Sequence, residues 1–357
     1  MNSLRGMLIV CGLALAGFSG GAFRFPDSSG EVSVASTSLD GGRRPLVLPD
    51  TPQGWGGLGI CYGPLRDGQF PGGPSPTEAQ IREDLHIIAK HWSAIRMYAA
   101  LGSAEIACKI IHEEKLPLKV LLGAWIAQEA KVGPDGKPTE LNPENAKLNQ
   151  AEVALAIKLA NQYPDVVAAL GIGNEALVSW SAYRVPTSVV IGYLKQARAA
   201  TKVPVTTCDT DLFWSTPESV EVAKECDFLA LHAYAMWNKQ SLKNSLPWTR
   251  GQIAATRKMH PDLPIVMTEL GWATQKGTQG DQAKLITAEP NEEDQELFYR
   301  AFRDWALEAK LTYFYFSAFD ENWKGGNEPS EVEKHWGVFK ADRSPKIVME
   351  GDKKPAK

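Results

Sequence analysis

The sequence predicts an α/β chain folded as a single (β/α)8 barrel. Three observations lead there. Short β-branched or Leu-rich runs alternate with amphipathic stretches along the chain; there are eight such runs; and no shift in composition marks a second domain between residues 50 and 348. Helical crossovers between consecutive strands imply parallel pairing. The competing architecture is an open doubly wound sheet, whose first strand would be followed by Gly-x-Gly-x-x-Gly. None occurs there, and Gly171-Ile172-Gly173 leads into Asn174 and Glu175 instead of a phosphate-cradling helix.

In chain order, the strands are expected over 57–60, 94–98, 118–122, 167–172, 203–207, 228–232, 265–268 and 313–318. Helical periodicity is expected over 77–91, 104–114, 150–162, 186–200, 217–225, 249–260 and 292–308, with Asp, Ser or Thr near several starts in the N-cap role. In a barrel of this kind, residues just past each strand converge on one mouth. Read in that order, strand one delivers Tyr62, and strand two Arg96 and Tyr98. Strand three gives Trp125, strand four Asn174 and Glu175, and strand five Asp209. His232 and Tyr234 follow strand six, and Glu269 and Trp272 strand seven. Asp320, Glu321, Trp323 and Lys324 follow strand eight. Acids, amides and aromatics together form the lining of a carbohydrate cleft.

The glutamates carry the most chemistry. Glu175 and Glu269 each end an apolar run, and a carboxylate is rarely buried without a partner or a task. Two carboxyls about 5–5.5 Å apart suit a retaining glycosidase, and about 6.5–9.5 Å an inverting one. A purely structural reading would instead pair one of them with Arg96 as a buried salt bridge.

Composition narrows the function further. The chain has 357 residues, 44% of them hydrophobic, a net charge of −4 and eleven tryptophans. It offers no basic face for nucleic acid or anionic lipid. Some tryptophans serve the core, and others are candidate platforms for sugar rings. Arg5, an apolar run over 7–18 and the small residues Ser19-Gly20-Gly21-Ala22 read as a signal peptide over 1–22, too short to span a bilayer. Val10 before Cys11 argues against lipidation. Residues 23–49 read as a disordered spacer and 349–357 as a short polar tail. Cys61, Cys108, Cys208 and Cys226 remain after cleavage; an even count in an exported chain permits disulfides in any of three pairings, with isolated buried thiols the first expectation. The six histidines show no metal-ligand spacing, and no structural metal is expected. An exported monomer without a stable membrane span is the expectation.

Several motifs resemble glycoside hydrolase family 17, a β-1,3-glucan-active family of the clan A barrels. They are Gly173-Asn174-Glu175, Thr268-Glu269-Leu270-Gly271-Trp272 and Phe319-Asp320-Glu321-Asn322-Trp323-Lys324. Tyr62-Gly63-Pro64, Ile95-Arg96-Met97-Tyr98 and His335-Trp336-Gly337-Val338-Phe339 are similar to its opening and closing segments, so the likeness covers roughly residues 55 to 345. The resemblance implies Glu175 as general acid/base and Glu269 as nucleophile on strands four and seven. It implies that Asn174 contacts the sugar 2-hydroxyl, that Tyr234 holds the nucleophile, and that Lys324 orients Glu321. The implied substrate is a β-glucan polysaccharide or oligosaccharide. Two carboxylates suffice for the chemistry, so no cofactor is expected. Hydrolysis is the first reading, glucanosyl transfer to a sugar acceptor the second, and an inactive carbohydrate-binding barrel the third. Trp125, Trp180, Trp214 and Trp237 are the candidate acceptor-side aromatics. Two departures are on the active face: Ala273-Thr274 stand where the family has proline, and 127–149 is longer than a minimal loop.

Overall fold

The computed structural model describes residues 42–48 and 58–350. Eight parallel strands form the barrel: β1 Gly59–Cys61, β2 Ala94–Met97, β3 Lys119–Ala124, β4 Val167–Asn174, β5 Val205–Thr210, β6 Leu229–His232, β7 Ile265–Glu269 and β8 Phe314–Tyr315. They pair in the order β8-β1-β2-β3-β4-β5-β6-β7. The circle closes through one parallel bridge, Met267 to Tyr313, with the Met267 N–H donating to Thr312 O at 3.0 Å. All eight expected strands are present, most shifted by a residue or two.

The helices follow from their own sequences. α1, Glu78–Ile88, starts in a capping box made by Thr77 and Gln80 and buries Ile81, Leu85 and Ile88 on one stripe. α2 is Ala104–Glu114 and α4 Thr187–Ala200, as expected. α3, Pro143–Gln162, begins seven residues earlier than the periodicity indicated, because its first two turns are polar; Asn142 caps it and Pro143 starts it. The β5–β6 connection holds two short helices, α5 Asp211–Trp214 and α6 Ser219–Lys224. α7, Leu242–Met259, also starts early. It carries Pro247 in its second turn, a residue that reads from sequence as a helix breaker. α8, Gly280–Leu285, was not anticipated, whereas α9, Glu292–Glu308, was. The long loop after β3 contains a small antiparallel hairpin pairing Lys131–Val132 with Pro138–Thr139.

Both domain boundaries differ from the sequence reading. Residues 42–48 were assigned to the spacer, yet Arg44 is docked on the barrel floor. Its N–H donates to Asp227 Oδ1 at 2.9 Å, and its guanidinium caps α4 through Arg198 O, Thr201 O and Val203 O at 2.8–2.9 Å. At the other end, Met349 is buried in α10, Ile347–Glu350, so the barrel runs past 348. The signal-peptide reading over 1–22, and Cys11 with it, lies outside the described residues. Cys61, Cys108, Cys208 and Cys226 are buried and free. No helix among the described residues is long and apolar enough to cross a membrane.

A buried polar cluster ties the chain's end to its first helix. Asp84 of α1 accepts from Arg343 Nε and Nη2, both at 2.8 Å, from Arg66 Nη2 at 2.6 Å and from Tyr62 Oη at 3.1 Å. Removing one partner of a buried ion pair strands the others in low dielectric, at a cost of about 3–5 kcal/mol. Asp84→Ala is therefore expected to lower stability by about that amount, read as a fall in the urea midpoint with an unchanged m-value.

Candidate active site

The mouth of the barrel is organised around one buried cation. Arg96, at 2% exposure, reaches from β2 to both β4 and β7. Its Nη1 donates to Glu269 Oε1 at 2.5 Å and its Nη2 to Asn174 Oδ1 at 2.5 Å. The Tyr98 ring stacks under the guanidinium at 4.5 Å and meets Phe316 edge-on. Arg96 and Tyr98, expected from sequence as substrate contacts, hold Glu269, Asn174 and each other here. The Arg96–Glu269 pair also exists as the structural reading foresaw, but inside a larger cluster.

Glu175 is positioned by strain and by a hydrogen bond. The chain leaves β4 through Gly173 at φ +87°, and Glu175 itself takes φ +50°, a left-handed conformation costly for a residue with a side chain. The Glu175 N–H donates to Cys208 O at 2.8 Å. Just beyond it, Asp209 of β5 accepts from the Leu177 N–H at 2.9 Å, pinning the loop that follows.

His232, fully buried at the end of β6, stands between the two acids. Its Nδ1 is 3.0 Å from Glu175 Oε1 and its Nε2 3.5 Å from Glu269 Oε1, the latter outside hydrogen-bond geometry. Burial depresses its pKa to about 3, so the ring is neutral and has a single N–H to give. Tyr234 Oη donates to Glu269 Oε2 at 2.6 Å. One carboxylate oxygen from each glutamate and a ring nitrogen of His232 lie within 4.8 Å of one another. That spacing is also close enough to hold a metal ion, but Arg96 already neutralises Glu269 and opposes a second cation there.

The two carboxyls have opposite protonation tendencies. Burial, then the nearby charges of Glu269 and Asp209, push Glu175 well above the usual carboxylate range. Burial acts on Glu269 in the same direction, but His232, Arg96 and the Tyr234 hydroxyl outweigh it and hold Glu269 below that range. One group is thus a proton donor and its neighbour an anion at the same pH.

The β8 side forms a second polar wall. Glu321 and Lys324 are buried and paired at 2.6 Å, Trp323 Nε1 donates to Glu321 Oε1 at 3.1 Å, and the Lys324 ammonium lies 4.6 Å over the Phe316 ring. Glu333, absent from the sequence-derived set, is buried beside them. Burial raises its pKa to about 7 while Lys324 opposes the shift. Asp320 turns away to Lys346 at 2.8 Å, and Lys346 also donates to Thr274 Oγ1 at 3.0 Å, which fastens the loop carrying Ala273-Thr274.

Two expected residues are elsewhere. The Tyr62 hydroxyl points to Asp84 on α1, outside the barrel. Trp272 is 0% exposed and packs on Phe298 of α9. Trp125 lies on the rim edge-on to Tyr183 at 5.2 Å. Among the acceptor-side aromatics, Trp214 is buried with its Nε1 on Ala230 O. Trp180 and Trp237 do line the notch beside Glu175, together with Asp211, Leu212 and Asn238.

Residues 59–337 match the family described as the BtgE/BtgC glycoside hydrolase domain. The chain belongs to that family. It is a glycoside hydrolase, and the family 17 likeness read from its strand-end motifs holds. It is 27% identical over 314 residues to a glucan 1,3-β-glucosidase of Arthroderma benhamiae, covering 82% of this chain and 90% of that one. A putative glucan endo-1,3-β-glucosidase of Aspergillus niger is 23% identical over 75% of this chain and 39% of its own. An endo-laminarinase from Formosa Hel1_33_131 shares the fold with TM-score 0.70 at 24% identity, covering 82% and 85% of the two chains. A β-1,3-glucanosyltransferase from Rhizomucor miehei does so with TM-score 0.63 at 22% identity, covering 81% and 95%.

Tyr234 donates to the anionic form of Glu269, so its loss must raise the pKa of that carboxyl. A hydrogen bond to a charged group contributes about 1.5–3 kcal/mol, or about one to two pH units. In Tyr234→Phe, the acidic limb of the kcat/KM profile is expected to move up by about that much; an unmoved limb would separate Tyr234 from the ionisation of Glu269.

Proposed function

We propose that this glycoside hydrolase cleaves β-1,3-glucosidic bonds with retention, Glu175 acting as general acid/base and Glu269 as nucleophile. The observation that carries the proposal is the close pair of carboxyls with opposed protonation tendencies. One oxygen of each carboxyl lies within 4.8 Å of an oxygen of the other, a close approach that favours the shorter separation of a retaining pair over the wider one of an inverting pair.

The steps follow from the contacts. Glu175, protonated, gives its proton to the glycosidic oxygen as Glu269 attacks the anomeric carbon. The leaving sugar departs and a glycosyl ester forms on Glu269. Glu175, now an anion, takes a proton from the incoming water or sugar hydroxyl, which displaces Glu269 and regenerates it. Asn174 Oδ1 accepts from Arg96 Nη2, which turns the Nδ2 amide group to donate toward the sugar 2-hydroxyl. Arg96 and Tyr234 keep Glu269 ionised between turnovers. Glu321, Lys324 and Trp323 are in place for hydroxyls on the nucleophile side.

The linkage rests on the names of the relatives, several of which are glucan 1,3-β-glucosidases. Transfer to a sugar acceptor uses the same residues and is the second reading, because Trp180 and Trp237 stand beside Glu175 where an acceptor would bind. Export rests on residues 1–22 alone, and a monomer without nucleic-acid partners is the accompanying proposal. Glu269→Gln is expected to lower kcat on a laminari-oligosaccharide by on the order of 10⁴-fold while oligosaccharide binding stays measurable. Proton NMR of early wild-type product should show the β-anomer first. An α-anomer first would contradict retention, and products longer than the starting sugar would favour transfer.

A further inference from the structure

The segment that closes the barrel, residues 335–346, is fastened by one buried ammonium. Lys346 is 2% exposed, and its backbone N–H donates to Val338 O at 3.1 Å. Its Nζ donates to Asp320 Oδ1 at 2.8 Å, to Thr274 Oγ1 at 3.0 Å and to His335 O at 3.4 Å. One cation thereby joins the loop after β7, the loop after β8 and the closing segment. Asp320 Oδ1 also accepts from the Gly337 N–H at 2.9 Å. The residues on both sides of Trp336 are thus tied to the same ion pair. The Ser317 N–H donates to Trp336 O at 3.1 Å, and Gln295 Nε2 of α9 to Gly337 O at 3.1 Å, so the segment is bracketed from two directions.

Stability alone explains this arrangement poorly. Burial strips water from both charges, and an apolar pair of the same volume is often as stable or more so. What the ion pair adds is direction, and the side chain it directs is Trp336. That ring is 1% exposed and meets the Tyr234 ring edge-on, with centroids 5.1 Å apart. Phe316 meets the Tyr234 ring at 5.9 Å and Trp336 at 5.9 Å, so the three rings form one packed group. Tyr234 follows β6 in a loop, where no strand pairing fixes its side chain. Its hydroxyl nevertheless has to lie 2.6 Å from Glu269 Oε2.

We propose that Trp336 is a positioning residue for Glu269, acting through Tyr234, and that Lys346 with Asp320 fixes its place. The bearing on catalysis rests on Glu269 being the nucleophile. The chain of contacts itself ends at the Glu269 carboxylate, and its ionisation can be read without turnover.

Two variants of the full chain test this, read by carbon-13 NMR of the glutamate side-chain carboxyls and by the kcat/KM profile. Lys346→Met combined with Asp320→Asn removes the ion pair without stranding either charge. Trp336→Phe shortens the ring with the ion pair in place, and decides the question if the double variant does not fold. In both, Glu269 is expected to titrate higher by about 0.5–1 pH unit, a fraction of what losing a whole hydrogen bond to a charged group would give. Neither variant should add to the shift produced by Tyr234→Phe, because the route runs through that hydroxyl. A Glu269 titration at its wild-type position in a folded variant, even with a lowered urea midpoint, would overturn the proposal. A shift that persists undiminished in the Tyr234→Phe background would overturn it too. If the Glu269 signal moves while the acidic limb of kcat/KM does not, the nucleophile reading fails and the positioning role stands.

Discussion

A positive charge held inside the barrel constrains everything around it. Arg96 has almost no access to water, so its guanidinium needs a negative charge and acceptors beside it, which its two terminal nitrogens find while Nε does not. Glu269 supplies that charge and Asn174 Oδ1 the second acceptor. The requirement works in both directions. Glu269 stays ionised because Arg96 is there, and Asn174 keeps one orientation, which in turn sets how β4 delivers Glu175. The two acid-bearing strands on different sides of the mouth are thereby referenced to one side chain on a third.

The asymmetry between the acids comes from unequal company in equal burial. Both are desolvated, and desolvation alone would raise both. Glu269 has the Arg96 guanidinium and the Tyr234 hydroxyl bonded to it. Glu175 instead has three neighbouring carboxyls, Glu269, Asp209 and Glu333, against the more distant pull of Arg96. The left-handed backbone at Glu175 accompanies this placement, with the side chain in reach of His232 Nδ1 at 3.0 Å.

The strands and the acids were legible in the sequence for one reason. Apolar runs of strand length are unambiguous, and an acid at the end of one needs an explanation. What failed was side-chain direction. Cys61 turns inward to Thr268 O, so by alternation its neighbour Tyr62 turns outward to Asp84. Trp272 lies three residues past Glu269, beyond the reach of strand periodicity, and α9 claims it for the core. Glu333 sits on a short 3-10 turn, Val332–Lys334, with no pattern to mark it, although the legible motif beginning at His335 follows it. Arg96 was legible at the mouth from its place at the end of a strand. Its reach to Glu269 and Asn174 on two other strands was not, because sequence spacing carries no information on contacts between strands that are distant in the chain.

The central claim is that Glu175 is protonated while Glu269 is an anion in the resting protein. Carbon-13 NMR of the full chain labelled at the glutamate side-chain carboxyl carbon measures this directly, with Glu175→Gln and Glu269→Gln used to assign the two signals. The account predicts that the Glu175 signal titrates well above the usual carboxylate range and the Glu269 signal below it. The reverse order, or two carboxyls titrating together, would contradict it.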